Sequence, residues 1–501
     1  MTPPRAPQTD ELIELALASL DLFHDRDGTP FATFTVGTRY ETVEVRGSSF
    51  VEHLARLYYA DKRMAASENA LEAARQHCAA VATFEGPERL VAVRVGHAEG
   101  AIFVDLADDE GDIIKVTPGC WSRIGSHDSP VRFRRPRGTL PLPIPTRGGS
   151  LDVLRKFVNL PDEDAWILVR AWLVATLTKG PYAILAFGGT QDSGKSSTTR
   201  HLRNVLDPRT SGLRRFPKDE QGLFIAARQS HVLAFDNLSG VPPAIADALC
   251  VLAYGEGFAQ RKLYSDADEF TFGGARPVIA NGIDDIATRP DLRDRSIVLS
   301  LPSLDERHRR TEEELRVAFA SAHPAILGAL LEAAAVGLRN LPNARLDRLP
   351  RMGDFARWSV ACEPAFGQPA GSFLQAYRRS RDEAAHIAVE TSSVAGAIEA
   401  WISRYPAGWS GNATELRAEL EDVADTESPD WPRGLKAFAN AVRRVAPPLR
   451  AVGIEVALPT KATGRAHRRE FRFHRIAHPS AHDANDAHDA PPPQGTLAQA
   501  G

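Results

Sequence analysis

The chain is poor in the features that build disulfide frameworks and membrane anchors. Its 501 residues include four cysteines, and no two of them form a CxxC pair. A disulfide scaffold or a four-thiolate zinc site is therefore not expected, and a reducing compartment fits this usage. No continuous apolar run reaches the roughly 18 residues that cross a bilayer, and the polar first residues do not resemble a signal peptide. We expect a soluble, cytoplasmic protein with no membrane partner.

A strong net charge is also lacking. Lys and Arg number 60 and Asp and Glu number 64, which leaves a formal charge of −4 at pH 7. This balance excludes a simple polycationic coat for nucleic acid, but it does not exclude a local basic patch. With 43% apolar and 25% charged residues, the composition is that of an ordinary globular protein long enough for several domains.

Changes of pattern along the chain predict an α/β protein with three domains. Residues 1–145 alternate helical and strand patterns, which predicts an α+β domain, and a Pro- and Gly-rich linker is predicted near 139–149. Residues 151–390 alternate apolar strands with helical segments, as in a parallel sheet, and end in helices. Residues 391–476 predict three helices and a hairpin, whereas residues 477–501 are predicted to be disordered.

Individual elements follow from the same patterns. The predicted helices of the two smaller domains are 10–23, 49–59, 67–82, 392–405, 413–423 and 434–445. The predicted N-terminal strands are 31–35, 41–45, 90–95, 101–105 and 112–116. The strands of the predicted parallel sheet are 182–188, 231–237, 276–282 and 296–302.

A glycine-rich segment between the first of these sheet strands and a helical stretch fits the pattern GxxxxGK[ST]. The candidate ATP-binding residues are Gly189, Thr190, Gln191, Asp192, Ser193, Gly194, Lys195, Ser196 and Ser197. In this context the glycines let backbone N–H groups surround phosphates, Lys195 reaches the β- and γ-phosphates, and the Ser196 hydroxyl binds Mg²⁺. The pattern predicts a site for ATP and Mg²⁺; a Gly- and Ser-rich surface turn is the alternative.

Polar residues end two of the other predicted strands. Asp236 follows a buried strand, where a carboxylate can hold Mg²⁺ at the carboxyl edge of the sheet, although it could instead cap the helix near Pro242. Its neighbour Asn237 cannot accept a proton, so no general base is identified there. Asn281 could contact the γ-phosphate or orient the attacking water, and an Asn-Gly turn is the alternative.

Two arginines precede the last predicted strand. Arg293 and Arg295 stand two residues apart in the stretch DLRDRS. Guanidinium groups at this place could reach a phosphate across a subunit boundary. A solvated Arg–Asp pair is the alternative interpretation.

A hairpin is predicted between Asp236 and Asn281. The segment YGEGFAQRKLYSDADEFTF has a Gly-x-Gly turn, alternating residues and a basic pair, Arg261 and Lys262. If the hairpin projects toward the pore of a ring, this pair can meet the phosphates of a single strand. A structural hairpin with solvated charges remains the alternative.

These elements in this order resemble the superfamily 3 helicases, an AAA+ branch found in viral, phage and plasmid replication proteins. The chain is similar in particular to the helicase part of prophage and mobile-element primase–helicase proteins. The resemblance implies that Asp236 holds Mg²⁺, that Asn281 senses the γ-phosphate, and that Arg295, or else Arg293, acts on a neighbour's nucleotide. It also implies a homo-hexamer. The chain departs from the family pattern at Asn237, where a second acid is common.

The C-terminal domain is predicted to be a winged helix. Between Trp431 and Ile476, eleven Lys and Arg residues face two acids, an asymmetry typical of a nucleic-acid face. The candidate DNA contacts are Arg443, Arg444, Lys461, Arg465, Arg468 and Arg469. A basic module that packs on an acidic neighbour is the alternative.

Together these features predict an ATP-dependent DNA helicase or translocase motor for replication of a phage, plasmid or integrated element. No zinc-ribbon spacing or paired-carboxylate polymerase signature is found in residues 1–150, so a primase, if one is needed, is expected to be a separate chain. The alternatives are an ATP-switched DNA-binding regulator and a loader without strand-separating activity.

Overall fold

The computed structural model divides into two compact units, residues 1–377 (the first unit) and residues 378–501 (the second unit). It describes residues 7–238, 240–255, 258–261, 269–282, 289–305, 307, 309–428, 430–459 and 470–476. The boundary between the units falls inside a helix, and the tail predicted to be disordered lies outside the described residues.

The described residues form helices and strands in alternation. The helices are α1 Gln8–Ser19, α2 Ser48–Lys62, α3 Glu68–Phe84, α4 Glu163–Ala175, α5 Lys195–Leu206, α6 Glu220–Gln229, α7 Pro243–Tyr254, α8 Pro290–Arg293, α9 Glu312–Asn340, α10 Gly353–Cys362, α11 Ser372–Glu390, α12 Ser393–Ile402, α13 Ala413–Glu421 and α14 Leu435–Ala451. The strands are β1 Asp21–His24, β2 Pro30–Val36, β3 Arg39–Glu44, β4 Leu90–Ala92, β5 Val95–Ala98, β6 Ala101–Asp105, β7 Asp112–Thr117, β8 Cys120–Gly125, β9 Val131–Phe133, β10 Ile184–Gly188, β11 Leu233–Leu238, β12 Phe258–Arg261, β13 Glu269–Phe272, β14 Val278–Gly282, β15 Ser296–Ser300, β16 Trp409–Gly411, β17 Ile454–Ala457 and β18 Phe471–Arg475.

A four-stranded parallel sheet forms the centre of the first unit. Its strands lie in the order β11–β14–β10–β15, and all their pairings are parallel. Strands that are covered on both faces read as continuous apolar runs, which is why these four were visible in the sequence. The expectation of an α/β fold with a parallel sheet is therefore confirmed.

Apolar helices share the core on one face of this sheet. Every residue of α4 from Ala165 to Ala175 is buried, as expected for a helix that is apolar on all sides. Helix α9 begins with a capping box of Thr311 and Glu314 and packs in the same core. By length and composition residues 312–343 could cross a membrane, but 56% of the apolar stretch is buried inside the protein, as in the core helix of a soluble domain.

The N-terminal part of the first unit contains more strands than the sequence predicted. The predicted helix 10–23 is wrong at its end: α1 stops at Ser19, and β1 pairs antiparallel with β2. Its Phe23 is buried in that sheet rather than on a helix face, because Leu20 takes an extended backbone conformation. Strands β8 and β9 were not predicted.

The stretch predicted as a linker near 139–149 has no regular structure, but it is packed. Leu142 is buried in the main core, and its N–H donates to the Leu106 carbonyl at 2.8 Å. The Thr146 N–H donates to the carbonyl of Pro324 in α9 at 3.0 Å. This segment therefore joins the strands β5–β8 to the helices of the same unit.

The second unit has its own core and a three-stranded antiparallel sheet. Its elements follow in the order α12, β16, α13, α14, β17, β18, and the sheet order is β16–β18–β17. Trp401, Phe438 and Phe473 are buried in its centre. The strand β16 was missed because three residues are too few to show a period, and α14 continues past the predicted end at 445 to bury Leu449.

Buried histidines predict that the first unit loses stability in acid. Burial lowers the pKa of His231 and of His323 to about 4, and each ring meets a carbonyl oxygen, that of Thr176 at 2.7 Å and that of Val205 at 3.0 Å. Between pH 6.5 and 4 the unfolded chain binds more protons, so stability falls as the pH falls through this window.

We expect the melting temperature to drop between pH 6.5 and 4, and to drop less steeply in a His323→Gln variant. Differential scanning calorimetry measures both. The exposed His474 of the second unit provides the control variant, His474→Gln, which should follow the parental curve. Parallel curves for all three proteins would show that the buried imidazoles do not cause the acid lability.

Candidate functional site

The glycine-rich loop lies between β10 and α5, at the carboxyl edge of the parallel sheet. Gly189 and Gly194 both have positive φ, +134° and +71°. A Cβ on Gly189 would lie 2.7 Å from the carbonyl oxygen of Leu301, and one on Gly194 would lie 2.9 Å from the side chain of Leu304. Gly189 therefore requires glycine for conformation and for space, and Gly194 requires it for conformation.

Lys195 is the first residue of α5, and its ammonium group lies over the loop. Its Nζ donates to the carbonyl oxygen of Gly189 at 2.8 Å and to the Ser193 hydroxyl at 3.1 Å. Partial burial lowers the pKa of Lys195, while the carboxylates of Asp236 and Asp192 act in the opposite direction. The lysine thus holds a positive charge against the backbone of the loop.

Ser196 and Asp236 meet across the edge of the sheet. The Ser196 hydroxyl donates to Oδ1 of Asp236 at 2.8 Å, although the two residues are 40 positions apart. Asp236 lies near the end of β11 and does not cap α7, which begins after Pro242 without a side-chain cap. The structure therefore brings the predicted loop serine and the predicted metal carboxylate into contact.

A β-bulge shapes the end of β11. Phe235 pairs with Ala280 and Leu238 pairs with Gly282, so two residues, Asp236 and Asn237, stand opposite the single residue Asn281. Asn237 has a φ of +62°, in the left-handed region where Asn is better tolerated than most side chains.

Asn281 lies on β14, between the strand of the glycine-rich loop and the strand of Asp236. Its Oδ1 accepts the Asn237 N–H at 3.2 Å, and its Nδ2 donates to the hydroxyl of Thr199 at 3.0 Å. The residue is 1% exposed. It is therefore a buried bridge, not a turn residue, and sequence reasoning missed its partner Thr199.

Asn159 is a second residue that the sequence did not single out. Its Nδ2 donates to the carbonyl oxygens of Ser193 at 2.9 Å and Pro302 at 2.6 Å, and its N–H donates to the hydroxyl of Thr198 at 3.1 Å. It ties the glycine-rich loop to the chain that leaves β15. No motif marks it, because its role depends on contacts that are distant in sequence.

Arg295 lies at the amino ends of the parallel strands, whereas the glycine-rich loop lies at their carboxyl ends. It precedes β15, whose Ser296 pairs with Ile184 at the start of β10 and whose Ser300 pairs with Gly188 at its end. Four residues of strand separate the two edges by roughly 13 Å. Arg295 Nη1 donates to the Asp291 carbonyl at 2.8 Å, and its guanidinium lies 5.1 Å from the centre of the Tyr254 ring. Arg293 ends α8 close by.

The predicted hairpin is formed by β12 and β13, which pair antiparallel with Arg261 opposite Glu269 in the backbone register. The side chain of Arg261 and the whole of Lys262 lie outside the described part of the chain. Of the six predicted contacts in the second unit, Arg443 and Arg444 are exposed on α14. The other four, Lys461, Arg465, Arg468 and Arg469, also lie outside the described residues.

The left-handed backbone conformation of Asn237 predicts which side chains this position tolerates. Asn237→Val should lower the free energy of unfolding by about 1–2 kcal/mol, because a β-branched side chain is strained at positive φ. Asn237→Gly should cost less than the valine, because glycine adopts this conformation freely. Urea unfolding measures the difference.

Asn69→Val, at an exposed position of α3 in the same unit, is the matched control and should cost only a few tenths of a kcal/mol. Equal stabilities of the valine and glycine variants at 237 would show that the bulge does not hold in solution.

Two segments of the chain match family models. Residues 151–386 match the model of the actinomycete integrative conjugative element replication protein, and residues 394–488 match the model of the RepA C-terminal domain of these elements. No curated protein matches the chain in sequence.

Solved structures give only a distant likeness. One apo A-form structure of the C-terminal region of NrS-1 is 10% identical, with a TM-score of 0.40, covering 93% of this chain and 99% of that one. A second, of residues 305–718 of the same protein, is 12% identical, with a TM-score of 0.39, covering 93% and 98%. On the two family matches, the chain is a replication protein of a mobile element, similar to those of actinomycete integrative conjugative elements.

Proposed function

We propose that this replication protein is an ATP-dependent DNA motor of the superfamily 3 AAA+ type. The observation that carries the proposal is the hydrogen bond of 2.8 Å between Ser196 and Asp236. It joins a GxxxxGK[ST] loop to a carboxylate on another strand of the same parallel sheet. This is the pairing that an Mg²⁺–nucleotide site requires.

The residues present fit ATP and Mg²⁺. The Ser196 hydroxyl and the Asp236 carboxylate are hard oxygen ligands of the kind Mg²⁺ binds, with waters and phosphates in its remaining positions. Gly189 and Gly194 leave the loop backbone without side chains at the two points where it lies close to Leu301 and Leu304. The amino end of α5 adds free N–H groups and a positive dipole end for phosphates.

Bound Mg²⁺ would supply positive charge that neutralises the phosphates of ATP. Lys195 adds its positive charge at the same phosphates, within reach because it begins the helix. Ser196 and Asp236, which share a hydrogen bond, would hold the metal. The chain's contribution is positioning and electrostatics, with no covalent step by a side chain.

Arg295 is proposed to act on the nucleotide of a neighbouring subunit. At the far edge of its own sheet it cannot reach its own glycine-rich loop, so a role at a phosphate needs a second chain. This is the arrangement of a ring, in which each interface combines the loop of one copy with the arginine of the next. A homo-hexamer with single-stranded DNA in its pore, near Arg261 and Lys262, completes the proposal.

The second unit is proposed to be a winged helix that binds duplex DNA. The order helix, strand, helix, helix, strand, strand and the antiparallel sheet β16–β18–β17 support this. Arg443 and Arg444 lie exposed on α14, the helix that would enter the groove. The four remaining candidate contacts lie between β17 and β18 in the sequence.

A specific observation keeps an ATP-switched DNA-binding regulator or loader as the second candidate. Asn237 stands where a second acid could activate water, and an amide cannot accept that proton. Slow turnover would then leave the nucleotide as a switch. Strand displacement on a forked DNA separates the two functions, because only the motor releases the displaced strand in an ATP-dependent way.

Lys195→Ala should abolish ATP hydrolysis, because the phosphates lose the lysine that compensates their charge. Arg295→Ala should lower the rate by up to about 10³–10⁵, as for other arginines that act from a neighbour. Mixtures of the two inactive proteins should recover activity, since some interfaces then combine an intact loop with an intact arginine. Phosphate release measured over a range of mixing ratios tests this.

The matched control is Arg348→Ala, at an exposed arginine outside the site, which should hydrolyse ATP normally. Both inactive variants must assemble like the parental protein. If they do and no mixture recovers activity, Arg295 does not act across an interface.

The second unit should bind duplex DNA by itself, with strong salt dependence. Six phosphate contacts predict a slope of log K against log salt of roughly −5, because each contact releases condensed cations. Residues 378–476 in fluorescence anisotropy titrations measure it. Replacing Arg443 and Arg444 by alanine should reduce the slope by about 2. Binding that does not change with salt would leave this unit as a protein-docking module.

A further inference from the structure

The polar contacts at the carboxyl edge of the sheet connect four side chains, and one of the links runs through the backbone of Asn237. Thr199 lies one helical turn after Lys195 and Ser196 on α5, and its hydroxyl is bonded to Asn281. Asn281 is bonded in turn to the backbone of the bulge. The bulge carries Asp236, which is bonded to Ser196 on the same helix. The chain thus closes on α5.

The β-bulge explains why this series of hydrogen bonds is required. An extra residue in a strand leaves a backbone N–H without its ladder partner. Here the Asn237 N–H is taken by Oδ1 of Asn281. Since the amide oxygen faces the bulge, the amide nitrogen faces α5, where the Thr199 hydroxyl fixes it. The Asn237 N–H, which can only donate, therefore sets which way the Asn281 amide is turned, and the Thr199 hydroxyl holds the other end of that amide in place.

Burial argues against a direct phosphate contact by Asn281. The side chain is 1% exposed, and both its oxygen and its nitrogen already have protein partners. A residue that touched the γ-phosphate would need an atom at the surface of the nucleotide site. The neighbouring Asp236 and Ser196 are only partly buried and can reach that surface.

We propose that Thr199 and Asn281 act as one positioning unit, which holds the bulge of β11 so that the Asp236 carboxylate stays opposite Ser196. The proposal rests on the Mg²⁺–ATP site proposed above and gives that site its metal geometry. Asn281 then supports catalysis through Asp236, and Thr199 becomes a positioning residue that no motif identifies.

The test is the Mg²⁺ requirement of ATP hydrolysis by the full-length protein at fixed ATP. Thr199→Val keeps the shape of the side chain and removes the hydroxyl. It should raise the Mg²⁺ concentration for half-maximal rate by up to about 10-fold, the lower end of the effect of losing a direct partner of a metal ligand, because Thr199 acts on Asp236 only through Asn281. Thr199→Ser should restore the parental value. ADP binding without Mg²⁺ should be unchanged in both variants, because the loop and Lys195 are intact.

A double-mutant cycle separates one unit from two independent residues. Asn281→Ala should shift the Mg²⁺ requirement like Thr199→Val, and the double variant should be no worse than the more affected single variant. Thr33→Val is the matched control, since Thr33 is a buried threonine bonded to the Thr42 hydroxyl at 2.8 Å in the N-terminal sheet. It should lower the melting temperature without changing the Mg²⁺ requirement.

Three results would overturn the proposal. One is a parental Mg²⁺ requirement in Thr199→Val, or in Thr199→Ala if the valine variant does not fold. Another is full additivity in the cycle. The third is an Asn281→Ala variant that loses its preference for a non-hydrolysable ATP analogue over ADP while Thr199→Val keeps it, because that pattern indicates direct contact with the γ-phosphate. Absence of Mg²⁺-dependent hydrolysis in the parental protein would instead contradict the proposed function.

Discussion

The position of α5 relative to β11 is the constraint on which the site depends. At its amino end the helix is joined to the strand by the Ser196–Asp236 hydrogen bond. At its carboxyl end Asp207, which is fully buried, accepts the N–H groups of His231 and Val232 just before β11 begins, at 2.9 and 3.1 Å. The helix and the strand are thus fixed to each other at both ends. A helix held in this way cannot slide along the sheet, so the glycine-rich loop and the Asp236 carboxylate keep a fixed position relative to each other.

Burying Asp207 requires compensating charge, and the N-terminal part of the chain supplies it. Arg94 and Arg209 lie 3.8 and 3.9 Å from its carboxylate, and both are themselves buried. Arg94 comes from the β4–β5 region and also donates to the Asp105 carbonyl at 2.9 Å. Breaking such a pair would leave an uncompensated buried charge, which typically costs about 3–5 kcal/mol. The N-terminal strands are therefore part of the support of the site.

The basic run from Arg132 to Arg137 also connects the N-terminal strands to the rest of the first unit. Its ion pairs are Arg132 with Asp21, Arg134 with Glu44, Arg135 with Asp105 and Arg137 with Glu52. Arg134 also donates to the backbone of Arg228 in α6. From the sequence alone, such a run of basic residues could equally form a nucleic-acid-binding surface. The positions of the acidic partners decide between the two, and these partners lie 30 to 111 residues away in the sequence.

Periodicity and local motifs determined which parts of the molecule could be predicted. The four parallel strands and the loop before Lys195 were predictable, because continuous apolar runs and a glycine pattern are local. The end of α1 at Ser19 was not, since Leu22 and Phe23 continue an apolar pattern that suits either a helix or a strand. Thr199 and Asn159 could not be identified, because each acquires its role from contacts across the sheet edge.

The bulge explains part of the departure at Asn237, and charge explains the rest. A φ of +62° disfavours glutamate at this position, since only Asn, Asp and Gly adopt this region readily. Aspartate would satisfy the backbone equally well. It would also place a second carboxylate next to Asp236, and like charges this close disfavour each other's ionised form. Asparagine keeps the bulge and leaves Asp236 as the one carboxylate of that pair. In the proposed motor, the chemistry then relies on positioning and on positive charge from Lys195 and a neighbour's Arg295, and the geometry held by Thr199 and Asn281 gains in importance.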